Sequence, residues 1–225
     1  MTTRMLVQGA LMGVLIAAAF LAQAQEGREA IHASAEEAEP LMPGMSAPAF
    51  EVRTADDEPF AFRPDAMDRP VVLTFFRGGW CPYCNLHLSE MRHAEKELKA
   101  IGFDVWFISM DQPSVLVDSL DEPDIGYTLF SDSQLSATRA FGLAFRVNDE
   151  TVERYQGYGI DLEEASGENH HVLPVPATFI IGDDGVINFA YANPGYQVRL
   201  HPDVLLAAAK AYVEGADRRL QRQRD

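Results

Sequence analysis

An apolar run that leads into a glycine-rich loop and then an amphipathic helical pattern limits what this chain can fold into. The run, VVLTFF at 71–76, combines β-branched and aromatic residues, which predicts a central strand buried on both faces. After the loop, apolar residues recur at spacings of three and four from Leu88 to Ile101, and Gly102 ends the pattern. This periodicity predicts a helix with one apolar stripe. A strand, a loop and a helix in this order indicate a layered α/β fold.

The same alternation of strands and helices continues along the chain. A polar insertion at 148–170 interrupts it and is predicted to be partly helical. The other predicted segments are hairpins at 49–62 and 177–191, strands at 103–109 and 127–132, and helices at 113–120, at 133–141 and from Pro202 onward. We therefore predict a thioredoxin-like α/β architecture with a central mixed β-sheet, helices on both faces and an N-terminal β-hairpin.

The first 24 residues differ from the rest of the chain. Arg4 is their only charge, an apolar run follows it, and Ala22-Gln23-Ala24 closes the run. This order is typical of a secretory signal peptide cleaved after residue 24, and it predicts a periplasmic or secreted protein. The alternative is an uncleaved segment, which would tie the protein to a membrane.

Charge and length constrain the remainder. Residues 25–43 are acidic and rich in alanine, which predicts a tether ahead of one domain at 44–225. The chain carries 34 acidic and 18 basic residues, a net charge of −16. Phosphate backbones require a basic surface, so we expect no nucleic-acid partner. With 47% hydrophobic residues, the chain can bury one substantial core.

The two cysteines of the chain, Cys81 and Cys84, lie three positions apart after the first central strand. A structural disulfide across so short a loop stabilises a protein by only about 2 kcal/mol in the chain-entropy model. A zinc site needs four ligands, and the sequence has no second pair of cysteines. Two thiolates and one imidazole suit Cu(I), with His87 or the His170-His171 pair as the third ligand. The other interpretation of His87 is an ordinary solvated helix residue.

A redox-active pair accounts best for the residues around the cysteines. Cys81 falls at the predicted helix N-terminus and Pro82 at its first position, where free N–H groups and the helix dipole favour a thiolate. Arg77 adds a nearby positive charge, and Trp80 can shield the sulfur from water. We predict that Cys81 is exposed and attacks, whereas Cys84 is partly covered and resolves the intermediate.

Several segments together resemble a known family. VVLTFFRGGWCPYC, VPATFII and the order of elements are similar to the thioredoxin fold. APAFEV, FSDSQLSATRAFGLAF and NPGYQVRLHPDVLLAA resemble the peroxiredoxin-like branch of the alkyl hydroperoxide reductase and thiol-specific antioxidant (AhpC/TSA) family, over about residues 44–214. The resemblance implies an antioxidant thiol oxidoreductase in which Cys81 is the peroxidatic nucleophile and Cys84 the resolving cysteine.

The resemblance also implies partners and a further site residue. A peroxide or a disulfide would be the substrate, and an external thiol reductant, either a thioredoxin-like protein or a small thiol, would restore the pair. We expect no cofactor and no metal. In thiol-redox folds a cis proline before the late strand packs against the cysteines. Pro176 takes that place here, with Val175 offering its backbone to an extended substrate.

The chain departs from the usual peroxiredoxin pattern around the nucleophile. In the motif Pro-x-x-x-Thr/Ser-x-x-Cys, the corresponding places hold Thr74 and Gly78, and the usual arginine beside the late strand is absent from PVPATF. Those groups polarise the peroxide O–O bond, and Arg77 is the candidate substitute. CPYC also matches the glutaredoxin motif. Four functions stay open: a peroxidase, a thioredoxin/glutaredoxin-type disulfide reductase, a Cu(I)-binding assembly protein and a redox-inert interaction domain.

Overall fold

The computed structural model describes residues 27, 29–120 and 127–215, so the predicted signal peptide at 1–24 lies outside the described residues. The strands in this part of the chain are β1 (Phe50–Thr54), β2 (Pro59–Phe62), β3 (Val71–Phe75), β4 (Asp104–Ser109), β5 (Thr128–Ser131), β6 (Ala144–Arg146), β7 (Val172–Pro174), β8 (Ala177–Ile181) and β9 (Ile187–Ala192). The helices are α1 (Pro82–Ala100), α2 (Pro113–Leu120), α3 (Ser136–Ala140), α4 (Asp149–Gly157), α5 (Leu162–Ser166) and α6 (Pro202–Val213). Within these described ranges no helix combines the length and apolar character needed to cross a bilayer.

Seven strands form one mixed sheet in the order β2-β1-β5-β4-β3-β8-β9. Its centre is parallel, with β4 between β3 and β5, whereas β8 joins β3 and β1 joins β5 in antiparallel orientation. Strand β3 is buried along its whole length, as its continuous apolar sequence predicts. The predicted α/β fold with a mixed sheet and an N-terminal hairpin, β1–β2, is confirmed.

Two apolar cores cover the two faces of this sheet, because successive side chains of a strand point to opposite sides. Val72 of β3 packs into the core that α1 and α6 close, together with Leu98 and Leu205. Leu73 packs into the other core with Val71 and Phe75 of the same strand, and α3 contributes Ala137 to it. Helices therefore lie on both faces, as predicted.

Helix α1 positions the second cysteine and buries one stripe against the sheet. Its buried residues are Cys84, His87, Met91, Ala94, Glu95 and Leu98. His87, which had been interpreted either as a metal ligand or as a solvated helix residue, is only 4% exposed, so the solvated interpretation is wrong. The reason is its spacing, since it lies three positions after Cys84 and four before Met91, on the same helical face.

The polar insertion at 148–170 contains α4 and α5, in agreement with its predicted helical content. Its two ends are joined by a small sheet that the sequence did not predict, in which β6 pairs antiparallel with β7. Strands of three residues are too short to show a period of two in sequence. This sheet fixes the insertion to the domain next to the cysteine loop.

The described part of the predicted tether, residues 29–43, is not a free segment. It lies against the domain, with which it shares hydrogen bonds and apolar contacts. His32 N donates to Ala144 O at 3.0 Å, and Leu41 N donates to Phe141 O at 3.2 Å. The physical reason is apolar burial, since Leu41 is 4% exposed within the core that contains Phe141.

Candidate active site

The loop between β3 and α1 carries the cysteines and is held from behind by Asp111. Asp111 follows β4, and its Oδ2 accepts hydrogen bonds from Gly79 N at 2.7 Å and from Ser109 Oγ at 3.1 Å. Burial raises the pKa of the Asp111 carboxyl to about 6. Beyond the loop, Cys81 takes the N-cap position of α1 and Pro82 the first helical position, as the sequence predicts.

Gly78 is required by the close approach of two side chains to the loop backbone. A Cβ at this position would lie 2.6 Å from Asp111 Oδ1 and closer still to the indole nitrogen of Trp80. A side chain at 78 would therefore displace the loop or both neighbours. A threonine or serine at this position, as in the usual peroxiredoxin motif, would therefore clash with Trp80 and Asp111 as they are placed here.

Both cysteines are free thiols and both are buried. Cys81 is 1% exposed and Cys84 is 0% exposed. The prediction that Cys81 is exposed is therefore wrong. Phe76 and Leu200 pack with both sulfurs in one apolar cluster, and Trp80 packs against that cluster. A substrate consequently reaches the sulfur only past these side chains.

Hydrogen bonding and burial act on the two sulfurs in opposite directions. A hydrogen bond from the Cys84 thiol, aided by the charges of Arg77 and Arg199, outweighs burial and lowers the pKa of Cys81 from 9.0 to about 6. Burial, followed by the hydrogen bond to Cys81, raises the pKa of Cys84 well above its usual range. Near neutral pH, Cys81 is therefore a thiolate, and Cys84 is a thiol that donates to it.

Arg77 lies in an aromatic enclosure beside the cysteine loop. Its guanidinium carbon is 5.0 Å from the ring centre of Trp80, 5.4 Å from that of Tyr155 and 4.1 Å from that of Tyr196. Nη2 donates to the Tyr155 hydroxyl. The side chain is 3% exposed, and its buried Nε has no hydrogen-bond partner among the described residues. That N–H can donate to an oxygen of a bound substrate.

A cavity of about 540 Å³ lies beside this enclosure. Insertion helix α4 and the segment after β9 form much of its wall. Its charged and aromatic lining includes Arg77, Arg146, Arg154, Tyr155 and Tyr196. Three arginines face one glutamate, Glu36, so the cavity is locally positive within a strongly acidic protein.

Pro176 lies at the same end of the sheet as the cysteine loop. It directly precedes β8, whose first residue, Ala177, pairs with Phe75 at the end of β3. Pro176 also lines the cavity together with Arg77. The structure thus places Pro176 at the end of the sheet that carries the cysteine loop, as predicted, and next to Arg77.

Two expectations about this proline segment are wrong. The Val175–Pro176 peptide bond is trans, whereas a cis bond was expected. The backbone N–H of Val175 donates to Leu143 O at 2.8 Å, and Val175 is 1% exposed. The backbone N–H of Val175 is therefore already paired within the fold and is not free to bind an extended substrate.

Distant segments supply three site residues that the sequence did not predict. Arg199 Nη2 donates to Cys84 Sγ at 3.3 Å across 115 positions of sequence. Tyr155 comes from the insertion, and Asp111 from the end of β4. The one available signal for Arg199 was its place in NPGYQVRLHPDVLLAA, a segment that carries the family resemblance.

The copper hypothesis needed a third ligand beside the two sulfurs. Within the part of the chain that the structure describes, no group of three or more His, Cys, Asp or Glu side chains is placed to hold a metal ion. His87 is buried one turn beyond Cys84, and burial, aided by the charge of Arg199, lowers its pKa to about 4. The interaction that the structure supports between the two sulfurs is therefore the hydrogen bond between Cys81 and Cys84.

Comparison with known proteins identifies the family. The AhpC/TSA family model matches residues 43–190, which is more than half of the chain. The chain belongs to the AhpC/TSA family. The family predicted from the cysteine motif and the flanking segments is therefore confirmed, and the match includes both cysteines and Pro176.

A relative in sequence agrees with this membership of the AhpC/TSA family, and solved structures share the fold. Peroxiredoxin Bcp of Escherichia coli is 30% identical over 104 residues, which cover 46% of this chain and 66% of that protein, slightly under two thirds of its length. The crystal structure of peroxidoxin BcpB from Mycobacterium tuberculosis has a TM-score of 0.59 at 20% identity and covers 76% of this chain and 97% of that chain. Xanthomonas campestris peroxiredoxin Q has a TM-score of 0.56 at 18% identity and covers 78% and 98% of the two chains.

The solved structures share the thioredoxin-type fold with this AhpC/TSA chain.

Proposed function

We propose that this AhpC/TSA protein is an exported peroxidase that reduces hydroperoxides with Cys81 and then forms a Cys81–Cys84 disulfide. The Cys81 thiolate attacks the hydroperoxide, so that a sulfur–oxygen bond forms and the oxygen–oxygen bond breaks. The alkoxide that leaves takes a proton and becomes the alcohol. Cys84 attacks the sulfenic acid on Cys81, the disulfide forms and the oxygen leaves as hydroxide or water. An external thiol reductant, a thioredoxin-like protein or a small thiol, restores the dithiol.

The arrangement of the two sulfurs carries this proposal, since Cys81 takes the N-cap position of α1 and Cys84 lies fully buried one turn later in the same apolar cluster. A nucleophile must be ionised near neutral pH, and the pKa of Cys81, lowered to about 6 chiefly by its hydrogen bond from Cys84, meets that requirement. A resolving thiol does not need to ionise before the first step, and Cys84 keeps its proton because it is buried. The two roles therefore follow from the two environments.

Arg77 supports the reduction of peroxide because it supplies a cation and a free donor where the usual hydroxyl is missing. Gly78 leaves no room for that hydroxyl, and its neighbour Arg77 keeps a buried Nε–H without a partner in the described chain. A donor aimed at an oxygen that becomes negative lowers the barrier to O–O cleavage. The cavity beside Arg77 is large enough for a substituent larger than that of hydrogen peroxide.

The alternative is a thioredoxin/glutaredoxin-type disulfide reductase without peroxidase activity. The CPYC sequence, which matches the glutaredoxin motif, favours this alternative. Such an enzyme grips an extended polypeptide through free backbone groups beside the proline. Here Val175 N–H is already bonded to Leu143 O at 2.8 Å. This pairing favours a small hydroperoxide over a polypeptide disulfide.

The test is rapid mixing of the reduced protein with hydrogen peroxide, with a bulky organic hydroperoxide and with a polypeptide disulfide. Trp80 packs against the cluster that holds both sulfurs, so its fluorescence reports oxidation of Cys81. We expect fast oxidation by one or both peroxides and slow reaction with the disulfide. A Cys81→Ser variant, which should give no signal with any oxidant, is the control. Fast reaction with the disulfide alone would reject the peroxidase.

The proposed export rests on residues 1–24, with one basic residue, an apolar run and an Ala-x-Ala end. We expect the mature chain to begin at Gln25 in the periplasm or the medium. N-terminal sequencing of the protein recovered from each cell fraction checks this. A chain that retains its first residues in the membrane fraction would instead indicate an uncleaved anchor.

A further inference from the structure

The sulfur of Cys84 is in contact with a second arginine, Arg199. Arg199 lies between β9 and α6, and its Nη2 donates to Cys84 Sγ at 3.3 Å. Among the described residues Arg199 forms no ion pair with a carboxylate, and its buried Nε is without a hydrogen-bond partner there. No carboxylate in the described part of the chain therefore neutralises the charge of Arg199, which faces a fully buried thiol.

The segment 193–200 holds this arginine firmly over the start of α1. Gln197 Nε2 donates to Tyr83 OH at 3.2 Å, and the rings of Tyr83 and Tyr196 meet edge to face at 5.7 Å. Leu200 is 5% exposed and packs in the cluster that contains both cysteines. Contacts on each side of Arg199 thus fix its position relative to Cys84.

The groups around Arg199 leave its charge directed at sulfur. His87 lies one turn after Cys84 on α1 and is uncharged near neutral pH because burial and the charge of Arg199 lower its pKa to about 4. Cys81 feels Arg199 more weakly than it feels the Cys84 hydrogen bond or the charge of Arg77. Arg199 therefore acts chiefly on Cys84, the sulfur that it contacts directly.

We propose that Arg199 is a catalytic residue of the resolving step, in which it stabilises the Cys84 thiolate that attacks oxidised Cys81. This role rests on the proposed function in one respect, namely that Cys81 is the sulfur oxidised first. Burial without a cation would hold Cys84 in its unreactive thiol form. A charge-assisted hydrogen bond to the sulfur from a guanidinium offsets that burial when the proton leaves.

The chemistry balances with the groups at hand. In the reduced pair one proton sits on Cys84 and is shared with the Cys81 thiolate. When Cys81 takes an oxygen from the hydroperoxide, the departing alkoxide takes the Cys84 proton and becomes the alcohol, which leaves Cys84 negatively charged beside Arg199. Cys84 then forms the disulfide, and the oxygen on Cys81 leaves as hydroxide. The two sulfurs lose two electrons, and the oxygen–oxygen bond receives them.

The experiment separates the two sulfurs with an aromatic disulfide, dithiobis(nitrobenzoate), whose thiolate product is coloured. Attack by Cys81 releases the first equivalent, and attack by Cys84 on the resulting mixed disulfide releases the second. For Arg199→Met we expect the second phase to slow at least about tenfold, while the first changes by less than about threefold. Arg199→Lys, which keeps the charge, should recover part of the loss. Arg63→Met, at an exposed arginine 3.5 Å from Glu51, is the matched control and should leave both phases unchanged.

The pH dependence distinguishes a chemical role from a structural one. In Arg199→Met the midpoint of the second phase should move to higher pH, because the Cys84 thiolate loses its cation. An unchanged second phase, or equal slowing of both phases with an unchanged midpoint, would overturn the proposal. If Arg199→Met does not fold, the same midpoint is measured in Arg199→Lys and in Arg199→Gln.

Parallel runs with hydrogen peroxide keep this inference separate from the proposed function. Sulfenic acid on Cys81 is trapped with dimedone, and it should accumulate in Arg199→Met. If the wild-type protein does not react with peroxide but Arg199→Met slows the second phase with the aromatic disulfide, the peroxidase is refuted and the role of Arg199 is retained. Fast oxidation by peroxide would retain the peroxidase. If Arg199→Met then changed neither the second phase with the aromatic disulfide nor the accumulation of sulfenic acid, the role of Arg199 would be refuted.

Discussion

Cys81 and Cys84 stand three positions apart, yet their surroundings give them opposite chemistry. Cys81 ends the loop after β3 and accepts a hydrogen bond near the charge of Arg77, and the pKa of Cys81 falls to about 6. Cys84 lies one turn into α1, fully buried, and its pKa rises. The spacing of the motif alone does not assign the roles; the environment of each sulfur does.

The two arginines extend this comparison. Arg77 precedes the cysteines within the same loop, so it was visible in the sequence as a nearby charge. Arg199 reaches Cys84 from 115 positions away. The positive charge nearest in sequence to the nucleophile, Cys81, thus comes from its own loop. The charge that contacts the resolving thiol, Cys84, comes from a distant segment of the fold. Variants at the sulfurs, at Arg77 and in the loop test this division.

The largest expected effect comes from Cys84→Ser. Serine keeps a hydroxyl that can donate to the Cys81 thiolate, so oxidation of Cys81 by peroxide should stay within about threefold of wild type. Turnover with a thioredoxin-like reductant should fall about 100-fold or more, because no second thiol forms the disulfide. Single-turnover fluorescence and steady-state reductant consumption measure the two quantities. Loss of both rates together would contradict the separate roles of the sulfurs.

Arg77→Met should have the next largest effect, on the first step alone. Removal of a donor and cation beside the reacting oxygen should slow oxidation of Cys81 by peroxide about 100-fold. Formation of the disulfide, once Cys81 is oxidised, should change little because Arg199 remains. Arg63→Met is again the control, and thermal unfolding shows whether the variant is folded. A peroxide rate equal to wild type would remove Arg77 from the mechanism.

Gly78→Ala tests the loop that holds both environments in place. The added methyl group would lie 2.6 Å from Asp111 Oδ1, so we expect the free energy of unfolding to fall by about 1–3 kcal/mol. Gly157→Ala, in the last turn of α4 where the added Cβ meets open space, should raise the free energy of unfolding by about 0.4–1 kcal/mol. Denaturant unfolding monitored by circular dichroism compares the two. Equal stability of the two variants would show that the loop accommodates a side chain.

Much of the fold could be predicted because its signals are local. The apolar run at 71–76 predicts a buried central strand, and the spacing from Leu88 to Ile101 predicts α1; the structure has both. The loop residues Arg77, Trp80, Cys81 and Cys84 are neighbours in sequence, so their proximity followed from the motif. The sheet β6–β7 was missed since three-residue strands have no readable period.

What the sequence could not predict depends on contacts between distant segments. The burial of Cys81 comes from Leu200 and the rest of its cluster, and the enclosure of Arg77 depends on Tyr155 and Tyr196. These features arise only once the insertion and the segment 193–200 pack around the loop.

The ultraviolet absorbance of thiolates, titrated in the reduced protein, tests the central claim most directly. We expect one thiolate with a midpoint near the Cys81 pKa of about 6. It should be absent in Cys81→Ser and should shift to higher pH in Cys84→Ala, which loses the hydrogen bond that chiefly lowers that pKa. Ionisation of Cys81 should also make the reduced fold more stable as pH rises from 6 towards 9.0, and this gain is lost as pH falls through the folded pKa. A first thiolate that appears only near 9.0, or that survives in Cys81→Ser, would contradict the account.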